Sequence, residues 1–130
     1  MTTGLVAYAA GEPVGWCAVE PRSAYARLLR NNRVPWDGRS EDKLDDSVWA
    51  VTCFVIRKGF RRRGVGSALA REAADFARDR GARAVEGYAM TTSAALIGEL
   101  HVGTRGMFAA AGFVEVSRPS VRRAVMRIDF

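Results

Sequence analysis

Val55-Ile56-Arg57-Lys58-Gly59-Phe60-Arg61-Arg62-Arg63-Gly64-Val65-Gly66-Ser67-Ala68-Leu69 runs from the end of an apolar strand, through a basic turn, into a helix. Such a turn is suited to holding a phosphate. The first turn of a helix leaves backbone N–H groups without intrahelical acceptors and carries the positive end of the helix dipole. Gly64 and Gly66 place no side chain between an anion and those donors. A nucleotide-hydrolysing P-loop would need Gly-x-x-x-x-Gly-Lys-Ser/Thr, and the chain has none.

Upstream of this turn, Val48 to Ile56 is nearly all apolar and rich in β-branched and aromatic residues, which predicts a central strand covered on both faces. Downstream, Leu69, Ala73, Phe76 and Ala77 recur at helical spacing from Val65 to Arg80, with Arg71, Glu72, Asp75, Arg78 and Asp79 on the other side. Gly81 supplies the stop. Ala84 to Met90 then reads as a second strand, parallel to the first because a helix intervenes. The centre of the chain is therefore a β-α-β unit.

The flanks read more simply. Leu5 to Ala9 and Val14 to Val19, separated by Ala10-Gly11-Glu12-Pro13, predict a β-hairpin that Pro21 closes. From Ser23 to Asp46 the periodicity lapses into a long connection, with one helical turn at Ala24 to Arg30; connections of that length are functional or mobile. Thr91 to Val102 is irregular, Thr104 to Ala111 is helical and ends at Gly112, and 113–117 with 124–130 form a closing antiparallel pair. The fold class is α+β, a mixed and mostly antiparallel sheet, in a single domain spanning residues 1–130.

Composition bounds the function. At 130 residues, with 48% hydrophobic and 26% charged, the chain is long enough to bury roughly two thirds of its unfolded surface. It has no run approaching the ~18 apolar residues of a membrane span. Met1-Thr2-Thr3-Gly4 lacks the charged region and apolar core of a secretory signal, so a cytoplasmic location and no membrane partner are expected. Cys17 and Cys53 lie in apolar runs and read as reduced, buried packing residues. One histidine and two separated cysteines give no zinc spacing, so no metal is expected.

The net charge of +6 favours an anionic partner, although the basic residues, 18 of 20 of them arginine, are spread widely. Five of the seven residues from Arg57 to Arg63 are basic, which by composition also suits nucleic acid. Their place at a strand-to-helix junction favours a compact phosphate ligand instead.

Arg61-x-x-Gly64-x-Gly66 after a hydrophobic strand resembles the R/Q-x-x-G-x-G/A signature of the GNAT superfamily, the acyl-CoA-dependent N-acyltransferases. Met107-Phe108-Ala109-Ala110-Ala111-Gly112-Phe113 resembles the end of that superfamily's later helix, and it comes in the matching order. The resemblance implies an acyl-CoA N-acyltransferase fold with acetyl-CoA as co-substrate and an amine as acceptor. It implies that the backbone of Arg62, Arg63, Gly64, Val65, Gly66 and Ser67 grips the CoA pyrophosphate, with the arginines, Arg61 among them, adding charge-assisted contacts. It further implies that Phe54, Val55 and Ile56 splay from the next strand and offer free backbone groups to the pantetheine arm, with Phe108 also on the cofactor side.

Amine attack on a thioester needs a neutral amine, hence a base or water chain, and the leaving thiolate needs an acid. Many members of the superfamily resemble one another in using a tyrosine of the later helix as that acid; the matching residue here is Phe108, which cannot donate. A glutamate of the central strand in protein-acetylating relatives would fall near Ala50, which cannot accept a proton. The remaining catalytic candidates are Glu20, Glu86 and His101. Glu20 and Glu86 end or interrupt predicted strands and read first as solvated edge residues, and His101 as a surface or hydrogen-bonding residue.

The superfamily begins with a strand and two helices before the hairpin, whereas this chain starts at the hairpin. The edge at Leu5 to Ala9 is then uncovered, from which a homodimer is expected. Two alternatives to an acetyltransferase stand beside it: a catalytically silent CoA-binding or regulatory module, and a small basic nucleic-acid-binding domain. The acceptor amine is not specified by the sequence.

Overall fold

The computed structural model describes residues 4–30, 33–60, 64–91 and 100–130, with only the backbone of Arg27, Leu100 and His101. Strands β1 (Gly4–Ala9) and β2 (Glu12–Pro21) form the expected antiparallel hairpin. Strand β3 (Val48–Ile56) adds to β2, and helix α2 (Val65–Asp79) leads to β4 (Ala84–Met90), which runs parallel to β3. A 3₁₀ turn (Arg22–Ala24) and the short helix α1 (Ala26–Arg30) fill part of the long connection before β3. After α3 (Arg105–Ala110), strands β6 (Val114–Ser120) and β7 (Arg123–Asp129) close the sheet as an antiparallel pair.

The strand order is β1-β2-β3-β4-β7-β6, and a two-residue strand β5 (Leu100–His101) pairs with β3 outside that path. Sequence periodicity did not indicate β5, which falls in the stretch read as irregular. Among the described strands only β3 and β4 are parallel neighbours, so the sheet is mixed and mostly antiparallel, as expected.

Alternation assigns the two faces of the sheet. One face carries Cys17, Val19, Val51, Phe54, Val85, Ala89, Ala124 and Met126 and is covered by α2 and α3. Helix α2 buries Leu69, Ala70, Ala73, Ala74 and Ala77, and these mostly small side chains let it lie close on the strands. The opposite face carries Ala50, Tyr88 and Val125, packed with Leu28, Tyr25, Val34 and Trp36. The long connection is thus pinned to the sheet, with Asp45 bonding Ser47 (2.9 Å) and Arg83 (2.7 Å) at its end.

One irregularity of the sheet bears on the site. Trp16 pairs with Val55 and Ala18 with Thr52, so Cys17 faces two residues, Cys53 and Phe54, in a β-bulge. Cys53 takes the left-handed conformation, with φ at 55°. Its side chain is exposed, which corrects the expectation of a buried packing residue: the extra residue breaks the in-out alternation and turns the thiol off the core. Cys17 is buried as expected, and burial pushes its thiol up to about 12.

Candidate active site

The bulge redirects β3. Pairing with β4 runs only from Val48–Ala84 to Val51–Gly87 and then stops, so the two strands part beyond Val51. The splay expected at Phe54 to Ile56 is therefore present. Its edge is not free, because β5 pairs antiparallel with it, His101 opposite Phe54 and Leu100 opposite Val55. Unpaired backbone groups beside a core are costly, and a nearby segment of the same chain satisfies them. Thr52 and Cys53, at the apex of the splay, lie outside that pairing.

Gly64 caps α2 in the left-handed conformation, φ 80° and ψ 4°, and a Cβ there would meet nothing within 4 Å among the described residues. A helix of fifteen residues thus begins at an open, side-chain-free position. Gly66 has a different reason to be glycine. It is buried, and a Cβ would come 2.1 Å from the Met107 sulfur, so its lack of a side chain serves the packing of α2 on α3. The Ser67 hydroxyl donates to the Met107 carbonyl at 3.0 Å. Val65 is partly buried against the core. Arg61, Arg62 and Arg63 lie outside the described residues.

Phe108 is fully buried rather than facing a cofactor. It packs edge-on to Phe54 (centroids 5.7 Å apart) and Phe113 (5.0 Å), closing the helix side of the splay with apolar rings. A hydrophobic aromatic between α3 and the sheet lowers its free energy most in the core.

On the other face, register places Glu20, Ala50, Glu86 and Arg127 in one row across β2, β3, β4 and β7. Glu86 is not a solvated edge residue. Its strand lies between β3 and β7, its side chain is 0% exposed, and it is ringed by donors. Arg22 (3.2 Å), Arg39 and the Tyr88 hydroxyl (3.1 Å) donate to Oε1, while Arg127 (2.7 Å) and Arg39 donate to Oε2. Five donors fill the capacity of a carboxylate, so Glu86 holds the structure together and has no room for a substrate proton. Arg22, also 0% exposed, reaches Glu41 at 2.9 Å and stacks on Trp36. Burial pushes the Glu41 carboxyl up, but Arg22, Arg39 and Arg127 outweigh it and hold the group below its ordinary value.

Glu20 is partly buried and lies opposite Ala50. Beside it Tyr25, which the sequence reading missed, sits half-buried over Ala50 with its hydroxyl 3.5 Å from the Ala50 carbonyl. A tyrosine inside a helical turn carries no signal of its own; the clue was Arg22, a charged residue directly after a closed strand that needed a buried partner. His101 contributes its backbone to β5. The described residues hold no group of three or more His, Cys, Asp or Glu side chains that could bind a metal.

Comparison with known proteins agrees with this geometry. The model of the Acetyltransferase (GNAT) family matches residues 2–98. The ribosomal-protein-alanine N-acetyltransferase of Brucella melitensis superimposes with a TM-score of 0.61 at 17% identity, covering 98% of this chain and 68% of that one. YncA of Salmonella typhimurium, a putative acetyltransferase solved with acetyl-CoA, gives 0.61 at 17% identity, covering 97% and 63%. Aminoglycoside acetyltransferase AAC(6')-Ib, solved with coenzyme A and kanamycin, gives 0.63 at 16% identity, covering 98% and 66%. At these identities the likeness establishes the fold, and the chain spans about two thirds of each matched structure or somewhat less. No curated protein matches the sequence.

Proposed function

Since the chain belongs to the acetyltransferase (GNAT) family, we propose that it transfers an acetyl group from acetyl-CoA to an amine by direct attack. The observation that carries this is the open left-handed Gly64 at the start of α2, placed next to the end of a strand that splays from its parallel neighbour. The pyrophosphate binds the first-turn amides of α2 from Val65 to Ser67, where dipole and unpaired N–H groups converge. The arm then lies along Ile56, Val55 and Phe54 in the place of β5, and its thioester reaches the apex at Thr52 and Cys53. Glu20 takes the proton of the attacking amine, because Ala50 cannot and Glu86 is fully engaged.

The acceptor is a primary amine. Release of free thiol from acetyl-CoA, followed across a panel of polyamines, aminoglycosides, amino acids and peptide N-termini, is the test. Turnover of at least one class supports transfer. A second reading, a CoA-binding module without turnover, draws on Phe108 in the core, Ala50 in the row and β5 on the strand edge. Saturable CoA binding with no thiol release across the panel would favour it. The chain also forms a homodimer through the open edge of β1.

A further inference from the structure

The transfer proposed above needs an acid for the departing sulfur, and α3 offers none. Phe108 carries no hydroxyl, and with Phe54, also 0% exposed, it seals the helix side of the splay. Cys53, at the apex, is exposed. Tyr25 packs on the face of the sheet opposite Phe54 and Phe108. Its ring packs over Ala50, in the space that a longer side chain at position 50 would take.

We propose that Tyr25 is a catalytic residue, donating a hydrogen bond and then its proton to the thioester sulfur as the acetyl group leaves. The assignment rests on the acetyl-CoA reading, which brings the thioester to Thr52 and Cys53. The hydroxyl sits between the Ala50 carbonyl and the Thr52 side chain, at the apex itself. A separation of 3.5 Å to the Ala50 carbonyl is long for an O–H···O bond, so the hydroxyl loses little by turning to a better acceptor.

The backbone around Tyr25 is fixed at both ends. Its N–H donates to the Arg22 carbonyl (3.2 Å), and its carbonyl accepts from Leu28 (3.0 Å) and Leu29 (3.3 Å) at the start of α1. Arg22 is in turn locked between Glu41 and Glu86. The buried ion network thus positions the donor that the helix lacks.

The titratable groups acting on Tyr25 are Glu20 and Cys17 on β2 and Cys53 on β3, with the Thr52 hydroxyl alongside. Burial pushes the phenol up; Thr52 pulls back, and Glu20 and the two thiols add to the rise. Tyr25 stays a neutral phenol at working pH, a donor rather than a base, while Glu20 next to it is the base.

The protons balance. The ammonium first loses one proton to solvent and becomes a neutral amine. As the N–C bond forms, the nitrogen gives a second proton to Glu20. The C–S bond breaks with its electron pair on sulfur, which takes the Tyr25 proton, and Glu20 returns a proton to the tyrosinate. The products are the amide, free CoA thiol and one proton released to solvent.

The test needs no known acceptor. The thiol of bound CoA is titrated by thiolate absorbance, as the difference between protein saturated with CoA and protein saturated with desulfo-CoA, which cancels Cys17 and Cys53. A donor on the sulfur stabilises the thiolate, so Tyr25→Phe should raise the bound thiol's pKa by about one unit. Site-specific 3-fluorotyrosine at position 25, a stronger donor of nearly the same shape, should lower it, and this second variant covers the case in which Tyr25→Phe does not fold. Equal thiol pKa values in wild type and variants would overturn the assignment of Tyr25 while leaving CoA binding in place. Failure of the wild type to bind CoA would instead overturn the acetyl-CoA reading, and Tyr25's role with it.

Discussion

Glu86 interrupts the strand Ala84-Val85-Glu86-Gly87-Tyr88-Ala89-Met90, and its carboxylate is where β4, β7, the 3₁₀ turn and the long connection meet. Removing one partner from a buried ion cluster leaves the others uncompensated, which costs about 3–5 kcal/mol. Glu86→Gln strands parts of Arg22, Arg39 and Arg127, so urea unfolding should show a loss of that order, a large share of the ~5–15 kcal/mol of a small domain. A change below about 1 kcal/mol would mean that Glu41 and Asp129 suffice for the three guanidiniums. In the sequence Glu86 was visible as a charge among apolar residues. Its partners were not, because Arg22, Arg39, Glu41 and Arg127 come together only when register and the long connection are known.

At the scale of elements, periodicity carries much of the reading. The nearly all-apolar run Val48–Ile56 and the helical spacing of Leu69, Ala73, Phe76 and Ala77 gave β3 and α2 close to their observed bounds. A β-bulge has no such signature: nothing in Thr52-Cys53-Phe54 marks an extra residue, so the exposure of Cys53 was not legible. Strand β5 is too short for any period to register. It also carries a prediction, because the pantetheine arm and β5 compete for the edge at Phe54 and Val55. Saturating acetyl-CoA should therefore speed amide hydrogen exchange at Leu100 and His101, read by NMR. Unchanged protection in the bound protein would mean that the arm does not use this edge.

For the whole molecule, the motif at Arg61 to Gly66 pointed to the family, and the hairpin, the crossover and the closing pair were legible, whereas the order β1-β2-β3-β4-β7-β6 comes from the structure. The family model ends at residue 98, so the later elements α3, β6 and β7 rest on the fold comparison, which covers 97–98% of the chain. The face around Ala50 was less legible, because only the 3₁₀ turn at Arg22–Ala24 folds Tyr25 back over the row that holds Glu20 and Ala50. Among the described strands β1 and β6 are the sheet edges, and β1 exposes Val6 and Tyr8 (67%). An apolar edge of this kind favours pairing with a second copy. Light scattering should give the mass of two chains, and a monomer at high concentration would contradict the dimer.

The central claim is that the start of α2 holds the CoA pyrophosphate, and calorimetric titration with acetyl-CoA, on the wild type and on Gly64→Glu, tests it most directly. The wild type should bind saturably with one ligand per chain. Gly64→Glu puts a side chain where the left-handed backbone disfavours one by about 1–2 kcal/mol and sets a negative charge against the phosphates, so its binding heat should vanish. No heat from the folded wild type at millimolar acetyl-CoA, or equal affinity in the variant, would contradict the account.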